Sequence, residues 1–399
     1  MPFRRLQDWL DHLLTLHPSD IELGLDRVAS VAARLSLLAP AATVVTVAGT
    51  NGKGTTTSLL EAMACAGGKR VGVYTSPHLL RYNERIRVNG EPASDADIVA
   101  AFEAIEAQRL AVPLTFFEFG TLAALQVFSR YDIDLIVLEV GLGGRLDATN
   151  IVDPDIAIIT SIALDHQEWL GDNREAIGAE KAGILRPDIP AIVADFDPPS
   201  SVTDRARALN CTLKILPGDY SSPLKNGLRA ENVFAALTAA ELLGIHPGDR
   251  VGETLSRLAV PGRLQQVQFG NQHVVLDVAH NPAAALHLAE WLREHGHIGA
   301  TAVFAALSDK DVHAMISACA DVFSRWFVVG LPGVDRSLAA SELAAQVCAA
   351  GGENVTAFAD LESAWSELQS EHGREPDSPS LIVVFGSFHT VATFMALST

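Results

Sequence analysis

Three glycines, a lysine and a run of threonines stand together in GTNGKGTTT, residues 49–57, between the apolar run TVVTVA and a segment of helical pattern. Backbone N–H groups in such a turn, with the first turn of a helix behind them, can surround a phosphate. Gly49, Gly52 and Gly54 permit close backbone approach, Lys53 supplies a mobile positive charge, and Thr55 or Thr56 offers a hydroxyl beside a metal. The spacing departs from GxxxxGK[ST]: Val47 occupies the place of the first glycine, and Gly54 separates Lys53 from the hydroxyls. The plainer reading is a glycine turn that caps a helix. Glu139 ends the run DLIVLE and would emerge at the carboxyl end of a core strand, beside the phosphate loop if the two strands are neighbours. A Mg²⁺ bridging phosphates takes hard oxygen ligands, and a strand-tip carboxylate provides one. The same position also suits an exposed turn residue. His166 follows an apolar run in IALDH, and is either a site residue at a strand end or a structural imidazole bonded to Asp165. Lys181 falls in a helical segment and, read alone, is a solvated lysine paired with nearby carboxylates.

These residues need a scaffold. Residues 43–48 read as a buried strand, with a helix beginning near Thr55 and a short strand at 71–74. TSPHLLRYNERIRVNG, at 75–90, has the Arg, Asn and Pro content of a loop. Helical patterning covers 95–109 and 119–130, and the apolar runs 135–138 and 156–160 are further core strands. Strands alternating with helices imply a mainly parallel sheet covered on both faces. The stretch 195–228 carries Pro198, Pro199, Pro217, Gly218, Pro223 and Gly227, which predicts a peripheral connection with little regular structure. After a helix at 232–243, the PGR of residues 261–263 marks a boundary between domains 1–261 and 262–399. Strand candidates at 274–278, 302–306, 326–329, 355–358 and 381–385 then make a second alternation. The expected fold class is α/β, with an N-terminal P-loop ATPase domain built on a mainly parallel sheet and a smaller C-terminal Rossmann-like α/β domain.

A chain of 399 residues suits two domains, and 48% hydrophobic with 19% charged residues is ordinary for a folded enzyme. The formal net charge of −19 would repel a polyanion over most of the surface, which argues against nucleic acid or an anionic membrane as partner. Cys65, Cys211, Cys319 and Cys348 are scattered without paired spacing, so zinc and a disulfide scaffold are both disfavoured and a reducing cytoplasm fits. The first helical stretch is interrupted by Asp8, Asp11 and His12, unlike a signal peptide, and no run reaches the length of a membrane span.

GTNGKGT followed by TSPHL at 75–79 resembles the folylpolyglutamate synthase and dihydrofolate synthase family, relatives of the peptidoglycan Mur ligases. The likeness continues in family order through EVGLGGRLDATNIVD, SIALDH, EKAGI, PGR, DVAHNP, SDKD and GSFHT, and is closest to the bacterial bifunctional enzymes. It implies an ATP-dependent acid–amino-acid ligase that adds L-glutamate to dihydropteroate and to reduced folates, working as a monomer. ATP contacts are implied at Gly49, Asn51, Gly52, Lys53, Gly54, Thr55, Asn232, Arg263, Asp277 and His280. Magnesium ligands are implied at Ser76, Glu139 and His166, and Lys181 is implied to carry a carbamate, which demands a neutral amine. Without the family, Asn232, Arg263 and Asp277 read equally well as a helix N-cap, a surface arginine and a strand-end turn.

The pterin needs a flat apolar slot with a few polar groups. Family positions for it correspond to Thr115, Phe116, Phe117 and Glu118, and to Leu146, Asp147 and Ala148, although the two phenylalanines would also serve as core aromatics. Arg81, Arg85 and Arg87 form a local basic cluster, suited to glutamate carboxylates or simply to solvent. The implied chemistry begins with substrate carboxylate attacking the γ-phosphate of ATP, with Lys53 and His166 among the catalytic groups. An acyl phosphate results, which the amine of glutamate then attacks. Two other readings fit part of the pattern: a Mur-type ligase acting on a peptidoglycan precursor, and a P-loop ATP-binding regulatory module without ligase chemistry.

Overall fold

The computed structural model describes residues 4–17, 19, 22–222, 228–245, 252, 255–256, 258–372 and 381–397. The chain divides into two compact units, Met1–Leu258 and Ala259–Thr399. The first begins with two helices, α1 (Leu6–Leu13) and α2 (Asp26–Arg34). Strand β1 (Thr43–Ala48) then leads through the glycine turn into α3 (Lys53–Ala66). There follow β2 (Val71–Tyr74), β3 (Ile86–Val88), β4 (Glu91–Pro92), α4 (Asp95–Arg109), α5 (Phe116–Phe128) and β5 (Leu135–Glu139). The unit continues with β6 (Ile156–Ile159), α6 (Gln167–Leu170), α7 (Arg174–Lys181), β7 (Pro190–Val193), α8 (Ser200–Ala208), β8 (Thr212–Ile215) and α9 (Ala230–Leu242).

Its eight strands form one sheet in the order β4-β3-β2-β5-β1-β6-β7-β8. The pairs from β2 to β8 are parallel and those involving β3 and β4 antiparallel. Central strands β1, β5 and β6 are almost wholly buried, as strands covered on both faces must be. Leu59, Leu60 and Met63 of α3 and Val233 and Ala236 of α9 share a core with Val45 and Val137. Phe102, Phe119 and Leu122 of α4 and α5 pack with Tyr74 and Leu138.

The second unit contains β9 (Gln265–Phe269), β10 (Gln272–Leu276), α10 (Pro282–Glu294), β11 (Ala300–Phe304), α11 (Val312–Ser317) and β12 (Phe323–Val329). It ends with α12 (Ala340–Ala349), β13 (Val355–Phe358), α13 (Leu361–His372), β14 (Ile382–Phe385) and α14 (Phe388–Leu397). Its sheet runs β13-β12-β11-β14-β10-β9, parallel except for β9 against β10. Phe304, Phe323, Trp326 and Phe385 pack as a mutual aromatic cluster in its core.

Both units are therefore α/β with mainly parallel sheets, as the alternation predicts, but four local expectations need correction. The 75–90 stretch is not all loop: a 3₁₀ turn at Tyr82–Arg85 feeds β3, which pairs antiparallel with β2. The 195–222 stretch holds α8 and β8, because Pro199 stands at the N-cap of α8, where a missing N–H costs nothing. Pro223 and Gly227 lie outside the described residues. Helix α5 starts at Phe116, ahead of the expected 119, because Thr115 and Glu118 form a reciprocal capping box. Strand β9, whose QQVQF sequence carries little apolar signal, was not expected at all.

Candidate active site

The glycine turn lies where the order of the first sheet reverses, at the carboxyl end of β1 between β5 and β6, the usual place for a ligand in an open parallel sheet. Register sets the levels: Val47 pairs with Glu139, and Ala48 with Ile159. Two of the glycines are sterically required. A Cβ at Gly49 would stand 1.6 Å from Thr160 Oγ1. One at Gly52, where φ is +90°, would stand 2.1 Å from Asn232 Oδ1. Lys53 Nζ donates to the carbonyls of Gly49 (3.1 Å) and Thr50 (3.3 Å), so its charge is held over the loop. Thr55 and Thr56 are buried in the first turn of α3, and Thr56 Oγ1 has no hydrogen-bond partner among the described residues.

The segment after β6 is fastened to this loop. Thr50 N donates to Ser161 O at 2.7 Å, and Ala163 N donates to Thr50 Oγ1 at 3.1 Å. Thr160 Oγ1 and Ser161 Oγ donate to Asn51 O at 2.8 and 3.2 Å. His166, five residues on, is thereby carried to the same sheet edge as Lys53. Its backbone is left-handed, with φ 51°, and its N–H donates to Asp165 Oδ1 at 2.9 Å. The imidazole Nε2 is 4.0 Å from the same oxygen and the side chain is 37% exposed.

Glu139 is only 4% exposed, which removes the exposed-turn reading. Its Oε2 accepts Ser76 N at 3.2 Å, and both carboxylate oxygens lie 3.7 Å from where a Gly54 Cβ would be. Ser76, Glu139 and the first turn of α3 therefore adjoin. Lys181, the last residue of α7, is 3% exposed, so it is not a solvated helix lysine. Burial, and then the charge of Lys53, pull its ammonium down to about 7, against weaker opposing pulls from Asp165 and Asp147. Lys53, Asp147, Asp165 and Lys181 thus share one electrostatic neighbourhood. The loop after Glu139 rests on the end of α7, since a Cβ at Gly144 would lie 3.0 Å from the carbonyls of both Glu180 and Lys181.

Among the described residues, no three His, Cys, Asp or Glu side chains converge as a metal cage. Magnesium does not require such a cage, since it keeps waters and is bound through one or two carboxylates together with phosphate oxygens. Glu139 and Ser76 supply a carboxylate and a hydroxyl-bearing residue side by side.

Of the expected pterin residues, Thr115 and Glu118 are buried in the cap of α5, where Glu118 Oε2 accepts Thr115 N at 2.8 Å. Phe116 and Phe117 are half-buried: Phe116 meets Tyr82 edge-on, and Phe117 lies over Gly141 and beside Tyr74. Leu146 is half-buried and Ala148 buried. Asp147 takes hydrogen bonds from Gly141 N, Leu142 N, Thr149 N and Thr149 Oγ1 at 2.7–3.0 Å, clasping the loop, while burial pushes its carboxyl up. The basic cluster divides. Arg87 is committed to Glu61 (2.7 Å), and Arg85 donates to His78 Nδ1 (2.8 Å) while lying over the rings of Tyr82 and Phe116. Arg81 is 72% exposed beside Asp95.

Asn232 is not an N-cap, because Arg229 holds that place; it is buried in the first turn of α9 against Gly52. Within the second unit, Asp277 accepts Leu264 N and Ala279 N, each at 2.8 Å, and its carboxyl is pushed up by burial despite the nearby charge of Arg263. Arg263 lies over Phe388 of GSFHT, 5.0 Å from the ring centre, and His280 is 5.9 Å from the same ring. Sequence reasoning passed over Thr50 and Thr160, which stand in or beside GTNGKGT and SIALDH, and named Asp165 only as a partner of His166. It also passed over Arg27, 91 residues from its partner Glu118, for which no motif exists.

Comparison with known proteins agrees with this arrangement. Residues 47–212 match the Mur ligase middle domain, and residues 262–388 the Mur ligase glutamate ligase domain. The chain is 40% identical to the dihydrofolate synthase/folylpolyglutamate synthase of Escherichia coli, over 98% of this chain and 94% of that one. Among solved structures it is similar to E. coli FolC in complex with DHPP and ADP, with 39% identity, TM-score 0.91, and coverage of 100% of this chain and 98% of that chain. It is also similar to the bifunctional folylpolyglutamate synthase/dihydrofolate synthase of Yersinia pestis complexed with AMPPNP and Mn ion, with 42% identity, TM-score 0.89, and coverage of 100% and 98%. With two Mur ligase regions and end-to-end likeness to these enzymes, the chain belongs to the dihydrofolate synthase/folylpolyglutamate synthase family.

Proposed function

We propose that this chain adds L-glutamate to dihydropteroate and to reduced folates, consuming ATP in a magnesium-requiring reaction that passes through an acyl phosphate. The observation that carries the reading is the meeting of Lys53, Ser76 and Glu139 at one edge of the parallel sheet, with Lys181 buried in the field of Lys53. The backbone of residues 49–55 cradles the phosphates, and Lys53 leaves the loop carbonyls to follow charge onto the transferring group. The substrate carboxylate attacks the γ-phosphorus and ADP departs. The amine of glutamate then attacks the acyl carbon, phosphate leaves, and the nitrogen gives up a proton.

Ser76, Glu139 and His166 would hold Mg²⁺, which when bound neutralises phosphate charge. Lys181, whose ammonium is pulled down to about 7 by burial and by Lys53, would add its neutral amine to carbon dioxide and release a proton to solvent, giving a carbamate whose anionic oxygens would be available to a cation. We assign nucleotide contacts, on the family resemblance, to Asn232 and to Arg263, Asp277 and His280. Residues 115–118 and 146–148 line the pterin slot, with Arg81 at its margin. We assign residues 1–261 to ATP and pterin binding and 262–399 to the glutamate-ligase step. Substrates in this reading are small molecules, which the formal net charge of −19 favours over nucleic acid or an anionic membrane, and a cytoplasmic monomer is the form assigned to the chain by its family resemblance.

The test supplies ATP, magnesium and glutamate with dihydropteroate or tetrahydrofolate separately, and identifies the conjugates by mass. Product from a peptidoglycan precursor, with none from either pteridine, would transfer the assignment to a Mur-type substrate. ATP hydrolysis indifferent to both acceptors would point to a regulatory module. Gly52→Ala should weaken ATP binding at least ~tenfold, because the added methyl meets Asn232 and the left-handed backbone is strained.

A further inference from the structure

The segment just before α2 touches both groups of residues assigned to the pterin slot. Gly24 N donates to Leu146 O at 3.4 Å, which ties it to the 146–148 loop. Arg27, in the first turn of α2, ties it to the other group. Its Nη2 donates to Glu22 O at 3.0 Å and to Glu118 Oε1 at 3.1 Å, and its Nη1 pairs with the Glu22 carboxylate. Glu118 in turn spends its second oxygen on Thr115 N, so the guanidinium is coupled directly to the cap that presents Phe116 and Phe117. The Glu118 side chain is 4% exposed and that of Arg27 22%. Losing the cation would leave a nearly buried carboxylate without its counter-charge, and the cap would have to shift or take up a proton. Glu22 is also fixed from the other side by His17 Nε2 at 3.0 Å.

We infer that Arg27 is a positioning residue for the pteroate or folate substrate: by clamping Glu22 and Glu118 at once it fixes the segment before α2 against the capped start of α5 that presents Phe116 and Phe117. The inference rests on the slot assignment above. A planar fork suits this task better than a lysine, since three oxygens on two chain segments are bound at once.

Steady-state kinetics of the full chain test it, with dihydropteroate, ATP and glutamate varied in turn for wild type, Arg27→Ala, Arg27→Lys and Glu22→Gln. Arg27→Ala should raise the KM for dihydropteroate at least ~tenfold, with kcat and the other two KM values within about threefold. Arg27→Lys should fall between wild type and alanine. Glu22→Gln, at a half-exposed carboxylate, should move the same KM in the same direction, and it decides the matter alone if Arg27→Ala does not fold. An unchanged dihydropteroate KM in these variants, or an equal rise in the KM for ATP, overturns the inference. A wild-type chain that turns over while the variants are indifferent leaves the ligase reading standing. A wild-type chain inactive on every pteridine takes both down.

Discussion

Lys181→Met is expected to reduce ligase turnover at least ~100-fold while leaving the folded chain as stable at neutral pH as its parent, or more so. The amine is buried at the end of α7, its affinity for a proton already brought down to about 7 by burial and by Lys53. An unfolded lysine retains its proton up to its ordinary value of 10.5. Between those values the unfolded chain binds a proton that the native chain does not, so stability gained from this group rises with pH across that window. The full penalty applies below pH 7, where the native state would have to bury a cation. Methionine fills the same volume with no such penalty. The stability deficit of the parent relative to Lys181→Met should therefore shrink by up to ~1.4 kcal/mol per pH unit between about 7 and 10. Denaturant midpoints for both chains, in buffer stripped of carbon dioxide, measure it; a pH-independent difference would remove the buried neutral amine. Restoring bicarbonate to stripped wild-type enzyme should raise turnover, and a short carboxylic acid should partly rescue Lys181→Ala. Neither effect is expected from a lysine that only fills space.

Lys53→Met is expected to lower kcat by about 10³-fold, with a smaller rise in the KM for ATP. The loop amides and the helix start remain to bind the nucleotide, so what is lost is the mobile cation that follows charge to the transferring phosphoryl group. Lys53→Arg should restore little, because a guanidinium is too broad for a position bounded by the carbonyls of Gly49 and Thr50. Stability should change by no more than about 1 kcal/mol, since the side chain is half-buried and its hydrogen bonds to Gly49 O and Thr50 O are local. The two lysines should also couple. Removing the charge at 53 lets Lys181 hold its proton to higher pH, so Lys53→Met and Lys181→Met combined should cost less than the product of their separate effects. A Lys53→Met enzyme within tenfold of wild-type kcat would show that phosphoryl transfer does not depend on this residue.

The strands that carry the site were readable because each is a short apolar run covered on both faces whose apolar pattern then breaks: Ala48 before the glycines, Leu138 before Glu139, and Ile159 before Thr160 and SIALDH. Where the pattern was less plain, composition misled. Pro198 and Pro199 look like breakers but precede α8, and Gln265–Phe269 alternates weakly because β9 sits at a sheet edge. The TFFE of residues 115–118 was a legible capping signature, yet the apolar pattern alone placed the helix start three residues late. Burial of Lys181 could not be read from EKAGI, since the motif does not reveal that the loop after Glu139 packs, at Gly144, against the carbonyls that end α7. The Arg27 clamp was still less accessible, because its two carboxylate partners lie on either side of it in sequence and only one is local.

Both borders of the eight-stranded sheet end in residues that discourage a stranger's backbone. On one side β4 is two residues long and finishes in Pro92, which has no N–H to offer. On the other, β8 is largely exposed and bears Lys214, whose charge an incoming identical strand would have to face in its own image. Crowded copies of the chain therefore meet no long, flat ladder on which to stack, and this sheet is protected against growing into fibres at high concentration.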